Sequence, residues 1–83
     1  MAEALDPRTA ELVGIGAAVA GHCQPCFDYH YRKALELGVR DEEIRATVVL
    51  ARSVRAAGDR HMDDHVARGM ADETIPPASG GTR

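Results

Sequence analysis

The chain has two cysteines, Cys23 and Cys26, spaced three residues apart, and His30 follows four residues after the second. On a helix, residues three and four apart share one face. If a helix begins at Cys23, both thiols occupy its first turn, where the helix dipole favours an anion and lowers a thiol pKa. His30 is then within reach of Cys26 as a base. That combination makes a reactive thiolate. A histidine acting as a base wants its far nitrogen held by an acceptor, usually a carboxylate. Glu11 is the candidate, because it is the only Asp, Glu, Lys or Arg between Arg8 and Asp28. A carboxylate buried on an apolar helix is costly without a partner.

The elements that would present these groups are helices throughout. Asp6-Pro7 is a start signal, with a capping side chain followed by a proline suited to the first helical position. From there "RTAELVGIGAAVAGH" is apolar around most of its circumference, which places the first helix at the centre of the domain. A break falls at Gly21-His22. The second helix starts near Cys23, since Pro25 is tolerated only in a first turn, and it stops at Gly38. Asp41 is expected to cap a third helix, "EEIRATVVLARSVRA", and Gly58 to mark a kink or turn before a fourth, "DRHMDDHVARGM". Residues 71–83, with Pro-Pro and Gly-Gly, read as a disordered tail. Residues 1–70 therefore form one all-α domain.

The break also fixes depths. Glu11 lies about ten residues before it, roughly 15 Å along a helix, and His30 some eight residues after it, about 12 Å. A helical hairpin would bring Glu11 and His30 level.

Composition narrows the function classes. A formal charge of −3, with Lys and Arg scattered, offers no basic face for nucleic acid. No apolar run approaches the roughly 20 residues of a membrane helix, and the acidic N-terminal segment is not a signal peptide. A cytoplasmic setting is expected, where a close cysteine pair is more often catalytic or metal-binding than a permanent staple. With 83 residues and only three aromatics, Phe27, Tyr29 and Tyr31, the chain is short of buried area, and a homo-oligomer would supply it.

Glu11, Cys23, Cys26 and His30 together form E-x11-C-x2-C-x3-H. This pattern, with the apolar Gly/Ala helix before it and "DEEIRATVVLARSV" after it, resembles the alkylhydroperoxidase D-like family of the carboxymuconolactone decarboxylase superfamily. The resemblance covers roughly residues 5 to 70. It implies a compact helical fold with a central helical hairpin, assembled as trimers or hexamers. It also implies that Cys26 becomes a sulfenic acid, that Cys23 donates a proton and closes the disulfide, and that His30 and Glu11 relay protons. The partners would be an organic hydroperoxide or small disulfide and a dithiol reductant, with no cofactor. Two departures stand out: Pro25 occupies the place of a histidine in the better-known alkylhydroperoxidase, and that enzyme is longer. The lyase branch of the superfamily lacks the thiol pair, which disfavours decarboxylation.

Other readings of the same residues remain open. Cys23 and Cys26 could form half of a zinc site in a non-catalytic or redox-sensing protein, with His61 and His65 of "HMDDH" as the other half. The separation of the two halves is far longer than in a zinc finger. His61 and His65 by themselves read as a solvated or interfacial face. The three aromatics pack in the core or at a subunit contact, or wall a small apolar pocket beside the thiols.

Overall fold

The computed structural model describes residues 4–70, all of whose regular structure is helical: α1 (Pro7–Ala20), α2 (Gln24–Glu36) and α3 (Asp41–Met70). The tail expected over residues 71–83 lies outside the described residues. The chain divides into two units, Met1–Ser53 and Val54–Arg83. Among the described residues no helix is long and apolar enough to cross a membrane.

In the first unit, α1 starts where the sequence signals it. Asp6 is the N-cap, with extended backbone, and Pro7 follows it. The Asp6 carboxylate accepts the Thr9 backbone N–H at 3.0 Å and the Thr9 hydroxyl at 2.8 Å. These two bonds, the backbone one first, hold its pKa below the ordinary aspartate value. A depressed carboxylate contributes stability above its unfolded pKa and loses it as pH falls through the folded one. Asp6→Asn keeps a capping oxygen that does not titrate. Thermal melts of this variant are therefore expected to fall less steeply than wild type below about pH 4. Coincident curves would refute the assignment.

Between α1 and α2 the chain turns through a Schellman motif. The Cys23 N–H reaches back to the Ala18 carbonyl at 3.0 Å and the His22 N–H to the Val19 carbonyl at 3.4 Å. The left-handed residue of this motif is His22, with φ of 59°, rather than Gly21. The second motif of this kind ends α2. There Gly38 takes φ of 82°, and the Val39 N–H bonds the Ala34 carbonyl at 3.0 Å. Both Ala34 and Val39 are buried.

Two helix-end expectations need correction. Asp41 does not cap α3 but is its first residue, and its carboxylate engages Arg45 one turn on. Arg40 is the residue before the helix: its carbonyl accepts the Glu43 and Ile44 N–H groups, and its own N–H donates to Glu43 Oε1 at 3.0 Å. This is the return half of a capping box. Nor does Gly58 break the chain, because α3 runs through it as one helix. A glycine inside a helix costs about 1 kcal/mol relative to alanine, too little to end one flanked by good helix formers such as Ala56 and Ala57. The segment expected as a fourth helix is the C-terminal part of α3, with Met62 and Met70 exposed in the second unit.

The core of the first unit gathers Ile15, Ala34, Val39 and Ile44, with Leu12, Phe27, Tyr31 and Val48 packed against them. The helix α1 is less central than its composition suggests: Ile15 and Ala18 are buried, whereas Val13 is 56% exposed. Ile15 is fully buried, at 0% exposure. Ile15→Ala is therefore expected to destabilise the protein by about 2–5 kcal/mol, combining lost transfer energy with a residual cavity. Urea unfolding checks this, and a loss below about 1 kcal/mol would mean the site collapses to fill the gap.

Candidate active site

Cys23 is built into two helix ends at once. Its backbone N–H closes the motif that ends α1, and its side chain caps α2, with Sγ accepting the Cys26 N–H at 3.3 Å. Its φ and ψ of −103° and 97° are extended, as an N-cap requires. Gln24, Pro25 and Cys26 then make the first turn, where proline's missing N–H removes no helical bond. Cys23 and Cys26 are joined as a disulfide, with Cα atoms 5.2 Å apart. Cys23 is half-buried and Cys26 exposed.

His30 lies one turn beyond Cys26 on α2. Its Nδ1 is 2.7 Å from Glu11 Oε1 on α1, with the two side chains 30% and 16% exposed. The structure thus brings together Glu11 and His30 across the hairpin, and Cys23 and Cys26 at the start of the helix that carries His30. With Glu11 ionised, Nδ1 is the donor, and a neutral imidazole then carries its lone pair on Nε2. Partial burial strengthens this bond relative to one in open water.

One neighbour of the pair is not apparent from residue chemistry. An alanine methyl built at Gly14 would stand 2.6 Å from His30 Cγ and Nδ1 and 2.7 Å from Cδ2. Gly14 lies three residues after Glu11, on the same face of α1. The imidazole therefore lies against bare helix backbone at Gly14 while it bonds Glu11. The available signal was a glycine inside a helix, which is destabilising unless close packing uses the space. Tyr29 meets the His30 ring edge-on, with centroids 5.0 Å apart.

Phe27 and Tyr31 occupy the adjoining stripe of α2, each one residue on from Cys26 and His30. Their rings stack at 5.5 Å and 13°. With Ile44, Val48 and Val49 of α3 they line a groove of about 420 Å³, bordered by Asp41, Arg45 and Arg52. The Asp41 carboxylate beside Arg45 raises the already high guanidinium pKa. Arg45 is a cation throughout. His61 and His65 lie in the second unit, and among the described residues no three His, Cys, Asp or Glu side chains gather as a metal site.

The family model of the carboxymuconolactone decarboxylase family matches residues 1–62. No curated protein and no solved structure matches the chain. The matched span contains Glu11, Cys23, Cys26 and His30 and all of the core described above, and on that match the chain belongs to the carboxymuconolactone decarboxylase family.

Proposed function

We propose that this protein is a small thiol-dependent hydroperoxidase or disulfide oxidoreductase that cycles Cys23 and Cys26 between dithiol and disulfide. The observation that carries the reading is the 2.7 Å contact between Glu11 and His30, made on the same helix whose N-cap and first turn hold the bonded cysteine pair. A partly buried carboxylate aligning an imidazole one turn from a thiol is an arrangement for moving a proton.

In the reduced protein, Cys26 gives its proton to the His30–Glu11 pair and attacks the terminal oxygen of an organic hydroperoxide. The O–O bond breaks and Cys26 becomes a sulfenic acid. The alkoxide leaves as the alcohol with the proton of Cys23. The Cys23 thiolate then attacks the Cys26 sulfur, and hydroxide departs as water with the proton held by the relay. A dithiol reductant returns the disulfide to two thiols by exchange. The net reaction turns one hydroperoxide and one dithiol into an alcohol, water and a disulfide. The exposure of Cys26 and half-burial of Cys23 support this division of roles. The groove beside Phe27 and Tyr31 takes the organic part of the substrate.

The working form is a homo-oligomer, a trimer or hexamer. Exposed Val13, Tyr29, Val49 and Leu50 support this, since a chain of this size rarely leaves so much apolar surface in water. A well-folded monomer at micromolar concentration in light scattering would contradict it. A cytoplasmic setting suits a disulfide that must be re-reduced.

Steady-state hydroperoxide consumption with a dithiol reductant tests the reading. Wild type is expected to turn over and Cys26→Ser to fall to background. Wild-type protein that consumes neither hydroperoxide nor small disulfide, carries bound zinc and resists thiol alkylation would instead favour a non-catalytic metal-binding role.

A further inference from the structure

We infer that Gly14 is a positioning residue for His30: its missing side chain seats the imidazole against α1 and holds Nδ1 on Glu11. The geometry itself is independent of the proposed reaction, and only its consequence for turnover rests on that reading. Any Cβ at position 14 would lie 2.6 Å from two ring atoms of His30, well inside van der Waals contact, so ring and methyl cannot both stay. Glu11 and Gly14 are one turn apart on α1. The ring is therefore bonded at one edge by Glu11 and backed by Gly14.

Which group would move is also decided by the structure. The His30 side chain is 30% exposed and has a route to solvent, whereas Gly14 belongs to a helix anchored by buried Ile15 and Ala18. An added methyl therefore displaces the imidazole and spares the fold. Gly16 provides an internal comparison two residues along the same helix. A Cβ there would meet Thr47 Cγ2 at 3.6 Å and Ala51 Cβ at 3.9 Å, ordinary contacts. Both glycine-to-alanine changes improve helix propensity equally. Only the one at position 14 touches the histidine.

The experiment compares Gly14→Ala and Gly16→Ala by long-range proton–nitrogen NMR of the imidazoles at about pH 8.5, where an ordinary histidine is neutral, with His30→Ala to assign the signal. Wild type and Gly16→Ala are expected to show His30 as a single tautomer with its proton on Nδ1. Gly14→Ala is expected to lose that signature for the mixture of a free imidazole, while melting cooperatively. Its first-turnover rate should fall about 100-fold, as expected for loss of a positioned base. Retention of the wild-type tautomer by Gly14→Ala overturns the inference. If Gly14→Ala does not fold, it is made in the His30→Ala background. There the inference requires the substitution to be tolerated, and equal damage with and without the ring overturns it. A wild type that reduces no hydroperoxide but keeps the Glu11-held tautomer, with Gly14→Ala losing it, leaves the positioning role intact and refutes only the reaction.

Discussion

Cys26→Ser protein is expected to reduce no hydroperoxide at all, while Cys23→Ser completes one turnover and stops with a sulfenic acid on Cys26. The asymmetry follows from where the two sulfurs sit. A thiolate, not a thiol, attacks a peroxide, and Cys26 is the cysteine one turn from the Glu11-bonded histidine. It is also the exposed one, while Cys23 is half-buried and tied by its backbone to the end of α1. Without Cys23 the oxidised sulfur has no partner within the first turn, so the reaction halts at about one equivalent per chain. Mass spectrometry after single-turnover oxidation, with a sulfenic-acid trap, reads this directly. An adduct on Cys23 in the Cys26→Ser protein would reverse the assignment.

Glu11→Gln should lower the rate of that first step by about 100-fold or more while leaving the fold in place. The side chains have nearly the same shape, so the hairpin still closes. The protonation pattern does not survive. A carboxylate can only accept, and so it requires the proton on Nδ1. A carboxamide can also donate, and a glutamine N–H aimed at Nδ1 puts the ring proton on Nε2. Nε2 then has no lone pair with which to take the Cys26 proton. Stopped-flow oxidation of the reduced variant, with its melting temperature measured alongside, separates chemistry from stability. A drop smaller than about threefold would show that Glu11 does not govern the proton's position.

The parts of the structure that could be read from the sequence are those set by local backbone chemistry. Asp6-Pro7 is a strong start signal and Pro25 is tolerated within a helix only in its first turn, so the starts of α1 and α2 and the placing of Cys23 and Cys26 near the second of them followed. Similar distances from one break, about ten residues on one side and about eight on the other, were enough to pair Glu11 with His30. The misreadings came where a local preference was weak against its surroundings. Gly58 disfavours helix by about as much as a single good contact favours it, and α3 continues through it. Asp41 is a good capping residue, but Glu43 reaches back to the Arg40 N–H and Asp41 pairs with Arg45 instead. Val13 belongs to an apolar run yet faces outward, since a run without periodicity does not say which side is buried. Gly14 was hidden for another reason. Its contribution is empty space, which acquires meaning only once the hairpin closes and a ring from α2 fills it.

All four residues assigned to the chemistry lie between positions 11 and 30, on two helices joined by the short turn at Gly21 and His22. Sequence-local contacts close small loops, and small loops have a low entropic barrier to closure. The Glu11–His30 bond therefore needs only the docking of α1 against α2, a local event of the kind that lets helical proteins fold in roughly microseconds to milliseconds, rather than a late adjustment of distant strands. Cys23, fastened to the end of one helix and the beginning of the next, is the hinge of that docking. On a growing polypeptide the redox pair would thus meet its acid–base partners as soon as residue 30 is free to fold, and before α3 is itself free to pack.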